Sequence, residues 1–331
     1  MSPPASKQAS ASKKSVARRA DSALSMSWRA VLGAGKAIYL EKPVATTPED
    51  ASAVCRLAAC HSNVFRVGLQ YRYKAIYAEA IAEVFERGVL GKVHNVSMLE
   101  HRFPFLDKVG QWNKFNEYTG GTLIEKCCHY FDLLNLFAGG RPTQVFASGG
   151  QAVNFKTFNY KNHPADGLDH AQLVISYDNA VVGGLSLCMF VPGSREELVV
   201  CGERGRLQAS EQSRLGEANE NSLELWLGEE GVSRISTPAY PRYIDRAGHQ
   251  GSTFFAHAAF IDDLQRGSSD GPSPADAFWS IMVGAAAQAS IDERAAIDVA
   301  SLLPEDFDPA VLCTPASAAA RMEAPGCLSP R

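Results

Sequence analysis

Gly120-Gly121-Thr122-Leu123-Ile124-Glu125-Lys126-Cys127-Cys128-His129-Tyr130-Phe131-Asp132 is the stretch on which the reading of this chain turns. Two glycines break the chain, and apolar residues then take up helical spacing. Thr122 stands where it would cap that helix, because its hydroxyl can accept from a free backbone N–H of the first turn. Leu123, Ile124, Cys127, Phe131 and Leu134 form one apolar stripe, with Cys128 at its margin. Glu125, His129 and Asp132 stand at i, i+4 and i+7 and share another face. A carboxylate one turn from an imidazole can orient the ring and hold a proton on it, which is what a proton-transfer site needs. The same spacing also describes an ordinary surface Glu–His pair, so spacing alone leaves both readings open.

Upstream, the pattern is that of a parallel sheet. Ala37–Leu40 reads as a short strand with Glu41-Lys42-Pro43 at its carboxyl end. Thr46-Thr47-Pro48-Glu49-Asp50 opens a helix, with proline in the first turn, that runs to about Cys60. Val64–Leu69 is a second strand, ending in Gln70-Tyr71-Arg72-Tyr73. Strand, helix and strand over about 30 residues make one βαβ unit. Ligands gather at the carboxyl ends of such strands, which singles out Lys42 and the Gln70–Tyr73 run. Gly33-Ala34-Gly35 looks like the opening of a dinucleotide fingerprint, but Ile38 occupies the third glycine position and a strand follows. It reads as a helix stop after Ala30–Leu32 and a turn.

Downstream, Ile76–Arg87 is an amphipathic helix stopped by Gly88. Strand-like runs follow at Val93–Phe103, Thr143–Ser148, His170–Tyr177, Ala180–Phe190, Glu197–Cys201, Arg206–Ser210 and Leu223–Leu227. Tyr177–Ala180 reads as a hairpin turn, which makes its flanking strands antiparallel neighbours. Ser252–Arg266 and Ala275–Ile291 read as helices. The expected fold class is α/β plus α+β: a truncated Rossmann-type parallel sheet, then an α/β domain with an open, mostly antiparallel sheet. The expected organisation is a disordered tail over 1–28, a partial dinucleotide-binding domain over 29–74, a substrate and oligomerisation domain over 75–302, and a loose tail over 303–331.

The chain of 331 residues has an apolar share of 46% and a formal net charge of −4. That balance gives no basic field suited to nucleic acid. No apolar run approaches the roughly 20 residues of a membrane span. Eight cysteines occur without any C-x-x-C, and the His and Cys spacings match no standard metal site. They read as reduced thiols in a reducing, cytoplasmic setting. The Arg/Lys-rich, Ser-rich and acid-poor residues 1–28 also have the composition of an organelle transit peptide, and that alternative stays open.

Three stretches together resemble the glucose–fructose oxidoreductase / inositol dehydrogenase / MocA family. They are Ala30–Lys36 with the following strand and Glu41-Lys42-Pro43, the Gly120–Asp132 stretch, and His249-Gln250-Gly251-Ser252 before a helix ending Asp263-Leu264-Gln265-Arg266-Gly267. They occur in the family's order over roughly residues 30–300. The resemblance implies an NAD- or NADP-binding Rossmann domain and a C-terminal α/β domain whose sheet mediates homo-oligomers. It implies oxidation or reduction of a secondary alcohol/ketone pair on a sugar, cyclitol or related polyol. Carried over by position, Lys42, Glu125 and His129 are catalytic, with Glu125 where the family usually has aspartate. Glu41, Lys42, Pro43 and Gln70 fall to the cofactor. Tyr71, Arg72, Trp112, Lys126 and His249 fall to the substrate, Tyr71 and Arg72 either lining the cleft or packing at the surface, and Lys126 being either an anion contact or a solvated charge. Asn113 stands where the family often has arginine after its tryptophan.

The expected mechanism follows from the residue types. His129, as a neutral imidazole, takes the hydroxyl proton while hydride leaves the carbinol carbon. Glu125 orients the ring, and Lys42 donates to the developing alkoxide.

A full Rossmann domain opens with a glycine-rich βαβ unit of about 30 or more residues and an acidic residue about 20 further on. Only 40 residues precede Glu41, and most are polar. The expectation is therefore a chain without the pyrophosphate turn, and with weak dinucleotide affinity. Three explanations stay open: a misplaced start to the chain, a truncated non-catalytic paralogue that keeps the cleft or the sheet, and a partner chain that completes the site.

Overall fold

A computed structural model describes residues 34–214, 219–228, 232–305, 307–309 and 312. The expectations for residues 1–28 and for Ala30–Leu32 lie outside these residues, as does most of the 303–331 tail. Within that tail, Phe307 and Leu312 are buried in the core.

Strand β1 (Ile38–Leu40) and strand β2 (Phe65–Val67) pair in parallel, with Ile38 opposite Phe65 and Leu40 opposite Val67. Helix α1 (Pro48–Ala59) crosses between them. Thr47 caps it by accepting from Asp50 N at 3.2 Å, and Pro48 loses nothing at a position whose N–H would be unpaired anyway. Gln70–Tyr73 closes the unit as a 3₁₀ turn whose first three residues are buried.

Helix α2 (Ala75–Ile81) is shorter than the periodicity predicts, because the chain loosens into a π turn over Ala82–Glu86. Three short elements follow β3 (Val93–His101): α3 (Asn116–Thr119), α4 (Thr122–Glu125) and α5 (Cys128–Ala138). Next come β4 (Pro142–Gly150), a small hairpin of β5 (Asn159–Tyr160) and β6 (His163–Pro164), β7 (His170–Tyr177) and β8 (Val182–Cys188). The remaining strands of this block are β9 (Ser194–Gly202), β10 (Gly205–Ser213), β11 (Glu220–Leu227) and β12 (Val232–Ser236). Helices α6 (Arg242–Asp245), α7 (Ser252–Arg266) and α8 (Pro274–Glu293) and strand β13 (Ile297–Asp298) complete the order.

One nine-stranded sheet runs β12-β11-β10-β9-β3-β8-β7-β4-β13. All of its pairs are antiparallel except β3 with β8. The Tyr177–Ala180 hairpin joins β7 to β8 as expected. Alternate residues of the central strands point inward: Val96 and Met98 on β3, Leu198 and Val200 on β9, Leu207 and Ala209 on β10. Helix α8 is apolar on nearly every side and is buried nearly all round, packing on α5, α1 and β4. A capping box between Ser273 and Asp276 starts it. Helix α7 lies over the 70–73 turn, and its His257 and Phe260 meet the Tyr39 ring edge-on.

Candidate active site

The motif Gly120–Asp132 does not form one continuous helix. Gly121, at φ +98°, is the cap of α4, and Thr122 is its first helical residue. The Thr122 hydroxyl donates instead to Leu168 O at 2.7 Å. The helical ladder breaks at Lys126 and Cys127, where Cys127 N reaches back to Thr122 O, and α5 then starts at Cys128. The expected apolar stripe is nevertheless buried, from Leu123 and Ile124 through Cys127 to Phe131 and Leu134. Gly120 is required where it stands. Its φ is +74°, and a Cβ there would fall 2.4 Å from Thr46 O, in the loop that leaves Lys42.

The break separates the three polar residues that spacing put on one face. Glu125 turns to Lys42, whose Nζ donates to Glu125 O at 2.8 Å and to Glu125 Oε1 at 3.1 Å. Asp132 turns to Arg72, accepting from Nε at 2.7 Å and Nη2 at 2.5 Å. His129, 2% exposed, keeps neither carboxylate, and its Nδ1 has no hydrogen-bond partner among the described residues. The expectation that Glu125 orients the His129 ring is thus corrected: the carboxylate is engaged by the Lys42 ammonium. His129 instead lies flat on the Tyr71 ring, with centroids 4.2 Å apart and planes 8° from parallel.

Charge around the imidazole explains its protonation state. Burial, then the cations of Lys42 and Lys126, then His249 and Lys74, push its pKa well below the ordinary value. Lys42 itself is opposed by burial but raised overall by Cys128, Glu125 and Glu41, so it stays an ammonium. The lysine at the end of β1 and the imidazole of α5 are therefore close enough to sense one another's charge. Glu41 is exposed. Its Oε2 lies where a Cβ on residue 68 would crowd it, and Gly68 leaves that room. Gln70 is buried and accepts from Thr253 Oγ1 at 2.9 Å.

The residues assigned to substrate divide. His249 sits at positive φ in a 3₁₀ turn beside α7, its ring 6.0 Å from that of Tyr71. Its pKa is lowered by burial and by Lys126 and Lys74. Arg72 is not a cleft residue. Its guanidinium is buried between Asp132 and Asp276, the latter at 3.2 Å. Lys126 is neither solvated nor free for an anion, since Glu100 Oε1 holds its Nζ at 3.1 Å. Trp112 lines a separate hollow of about 250 Å³ with Phe115, Tyr118 and Tyr160.

Beneath His129 lies a group that the sequence reading missed. Glu100 on β3, Glu196 on β9 and Glu211 on β10 are directly opposite one another in register, all buried on the inner face. Lys74 Nζ binds Glu196 Oε2 at 2.6 Å and Glu211 Oε1 at 3.0 Å. Tyr71 donates to Glu196 Oε1 at 3.1 Å, Tyr77 donates to Glu196 Oε2 at 3.3 Å, and Tyr130 donates to Glu100 Oε2. Burial raises Glu196, but Lys74 and Lys126 outweigh it and bring its pKa down to about 2. Burial and the neighbouring Glu196 carboxylate leave Glu100 raised, against the pull of Lys126. A signal was available: Glu196 and Glu211 alternate with Leu198, Val200, Leu207 and Ala209, so each is a charge on an otherwise apolar strand face.

The chain thus has two parts, a parallel βαβ unit and a mostly antiparallel sheet, with the buried imidazole of α5 between its elements. Residues 25–69 match the NAD-binding Rossmann fold of the Gfo/Idh/MocA oxidoreductase family, and residues 82–299 match that family's C-terminal alpha/beta domain. The chain belongs to this family. It is 31% identical over 120 residues to the Bacillus subtilis protein named "Putative oxidoreductase YteT", a match covering 36% of this chain and 27% of that one. It is 21% identical over 273 residues to myo-inositol 2-dehydrogenase of Thermotoga maritima, covering 82% of this chain and 75% of that one. Among solved structures it resembles levoglucosan dehydrogenase in complex with NADH and levoglucosan, with TM-score 0.66 and 18% identity over 82% of this chain and 76% of that one. It also resembles an Agrobacterium radiobacter oxidoreductase in complex with NAD+, L-tartaric acid and magnesium, with TM-score 0.64 and 18% identity over 84% and 78%. No helix among the described residues is long and apolar enough to cross a membrane.

Proposed function

We propose that this chain is an NAD- or NADP-dependent dehydrogenase acting on a secondary alcohol of a sugar, cyclitol or related polyol. The observation that carries the reading is a buried neutral imidazole, His129, within the electrostatic reach of a charged lysine, Lys42, that follows a parallel strand at its carboxyl end. The relatives named for inositol and levoglucosan oxidation support the substrate class. The nicotinamide and alcohol end of such a complex would lie beside the carboxyl ends of β1 and β2. Lys42 and Gln70 are the residues that would hold that end, with Glu41 and Pro43 flanking. The nicotinamide, when bound, supplies the acceptor for hydride.

The protein's own part is proton and charge management. His129, uncharged at neutral pH, accepts the hydroxyl proton. Lys42 donates a hydrogen bond to the oxygen as negative charge builds on it, and Glu125 keeps the ammonium aimed. His249 stands near the same imidazole, where it would contact the substrate. The outer face of the large sheet carries Phe146, Val174 and Val182 exposed, which supports a homo-oligomer formed through it.

The test is binding of NADH and NADPH by fluorescence, then reduction of NAD+ or NADP+ with myo-inositol and a panel of monosaccharides. His129→Ala should lower kcat by about 10²–10⁴-fold while cofactor affinity stays within a few-fold. Absence of both dinucleotide binding and turnover would remove the reading.

A further inference from the structure

We propose that Tyr71 is the residue that positions the His129 imidazole, with the buried row of glutamates as its anchor. The inference rests on the dehydrogenase reading for its catalytic meaning, but its geometry stands apart from it.

A general base needs its ring plane fixed, so that one lone pair points where the proton leaves. A hydrogen-bonded carboxylate is the common device, and Glu125 is unavailable for it. The contact on which His129 lies is instead the flat face of Tyr71, at 4.2 Å and 8°. That face is itself unusually constrained. Its hydroxyl donates to Glu196 Oε1 at 3.1 Å. The Lys74 ammonium sits 4.8 Å from the ring centroid and Lys126 sits 5.6 Å from it. Tyr130 meets the ring edge-on at 5.6 Å, and Tyr77 is stacked at 6.3 Å. Glu196 is held in turn by Lys74 and by the hydroxyls of Tyr77 and Tyr130. The sheet therefore fixes the carboxylate, the carboxylate fixes the tyrosine, and the tyrosine fixes the imidazole plane. This arrangement also differs chemically from a carboxylate partner. Stacking sets the plane without placing an anion on the ring, so the ring stays uncharged among Lys42, Lys126, Lys74 and His249.

The experiment uses the full chain with isotope-labelled histidine, His129→Gln identifying the resonance. The His129 titration, kcat and KM are measured in the wild type, Tyr71→Phe and Tyr71→Leu. Tyr71→Leu should reduce kcat by about 50-fold with KM within about threefold, since a small misplacement of a reacting group costs that order in rate. Its His129 titration should move up toward the ordinary value of about 6.5. Tyr71→Phe keeps the ring but loses its hydroxyl anchor, and should fall between the wild type and Tyr71→Leu in both properties. An unchanged titration and kcat in Tyr71→Leu overturns the proposal, as does a Phe variant as damaged as the Leu one. Should Tyr71→Leu not fold, Glu196→Leu and Tyr71→Phe replace it, since leucine offers the tyrosine hydroxyl no acceptor. Their double variant should lose no more rate than the worse single one, because both remove the same bond, and additive losses overturn the anchor. If the wild type turns over no polyol, the dehydrogenase reading falls, while the titrations still decide whether Tyr71 controls the ring.

Discussion

His129 couples chemistry to stability through one depressed pKa. In the folded chain the imidazole stays neutral well below its ordinary value of 6.5, because burial and four neighbouring groups oppose its cation. The unfolded chain binds that proton near pH 6.5 and the folded chain does not. The histidine's contribution to stability is therefore fully present above about pH 6.5 and declines as the pH falls below it, by up to about 1.4 kcal/mol per pH unit. His129→Gln, which cannot take up the proton, should flatten the loss of urea-unfolding free energy between about pH 7 and about pH 5. An equally steep loss in the variant would assign the acid sensitivity to other groups. By the same sign, the rate should show no acid limb near pH 6.5 from this residue. The identity of His129 as a candidate base was legible from spacing and resemblance. Its surroundings were not, because nothing within one turn reveals Lys74 and Tyr71 arriving from other elements.

At the scale of elements, the helices and most strands were legible because periodicity of 3.6 and of 2 is local. α7 occurs over the expected Ser252–Arg266, and β7 over His170–Tyr177. The break between α4 and α5 was not legible. Lys126 and Cys127 have ordinary helix propensity, and what interrupts them is tertiary: Lys126 is drawn to Glu100, on a strand that ends well upstream. The parallel neighbours β3 and β8 were missed for the same reason, since pairing partners far apart in sequence leave no local mark. The 70–73 turn, α5 and α8 are held as a unit by one guanidinium, Arg72, between Asp132 and Asp276. Those carboxylates keep Arg72 charged despite its burial. Arg72→Ala would leave two buried carboxylates facing each other, which costs about 3–5 kcal/mol when a buried pair loses one partner. Arg72→Lys should recover little of it, because a point charge cannot reproduce the two-pronged contact to Asp132. Thermal unfolding of the two variants checks this, and a fully stable Arg72→Lys would deny the guanidinium its joining role.

Across the whole molecule, the inner face of the sheet changes character along its strands. It is apolar where Met98, Leu198 and Leu207 meet the helices and ionic where Glu100, Glu196 and Glu211 stand side by side. The ionic end lies under the strand ends of the βαβ unit, so the same carboxylates that load the sheet also brace the candidate site. Lys74 is the main cation there, with its pKa raised to about 12: burial lowers it, but Glu196 and Glu211 outweigh burial. Its stabilising contribution is thus complete below the ordinary lysine value of 10.5 and is lost only as the pH rises through about 12. Lys74→Met should destabilise the fold by about 3–5 kcal/mol at neutral pH, because two in-register carboxylates would remain buried with one counter-charge removed. Adding Glu211→Gln takes away one of those carboxylates, and the double variant should regain part of the loss. Denaturant unfolding of the four species closes a double-mutant cycle, in which a coupling of about 1 kcal/mol or more is expected for groups in direct contact. Strict additivity would mean that the glutamate row is packed independently of Lys74, and that the sheet does not transmit its charge balance to Tyr71 and His129.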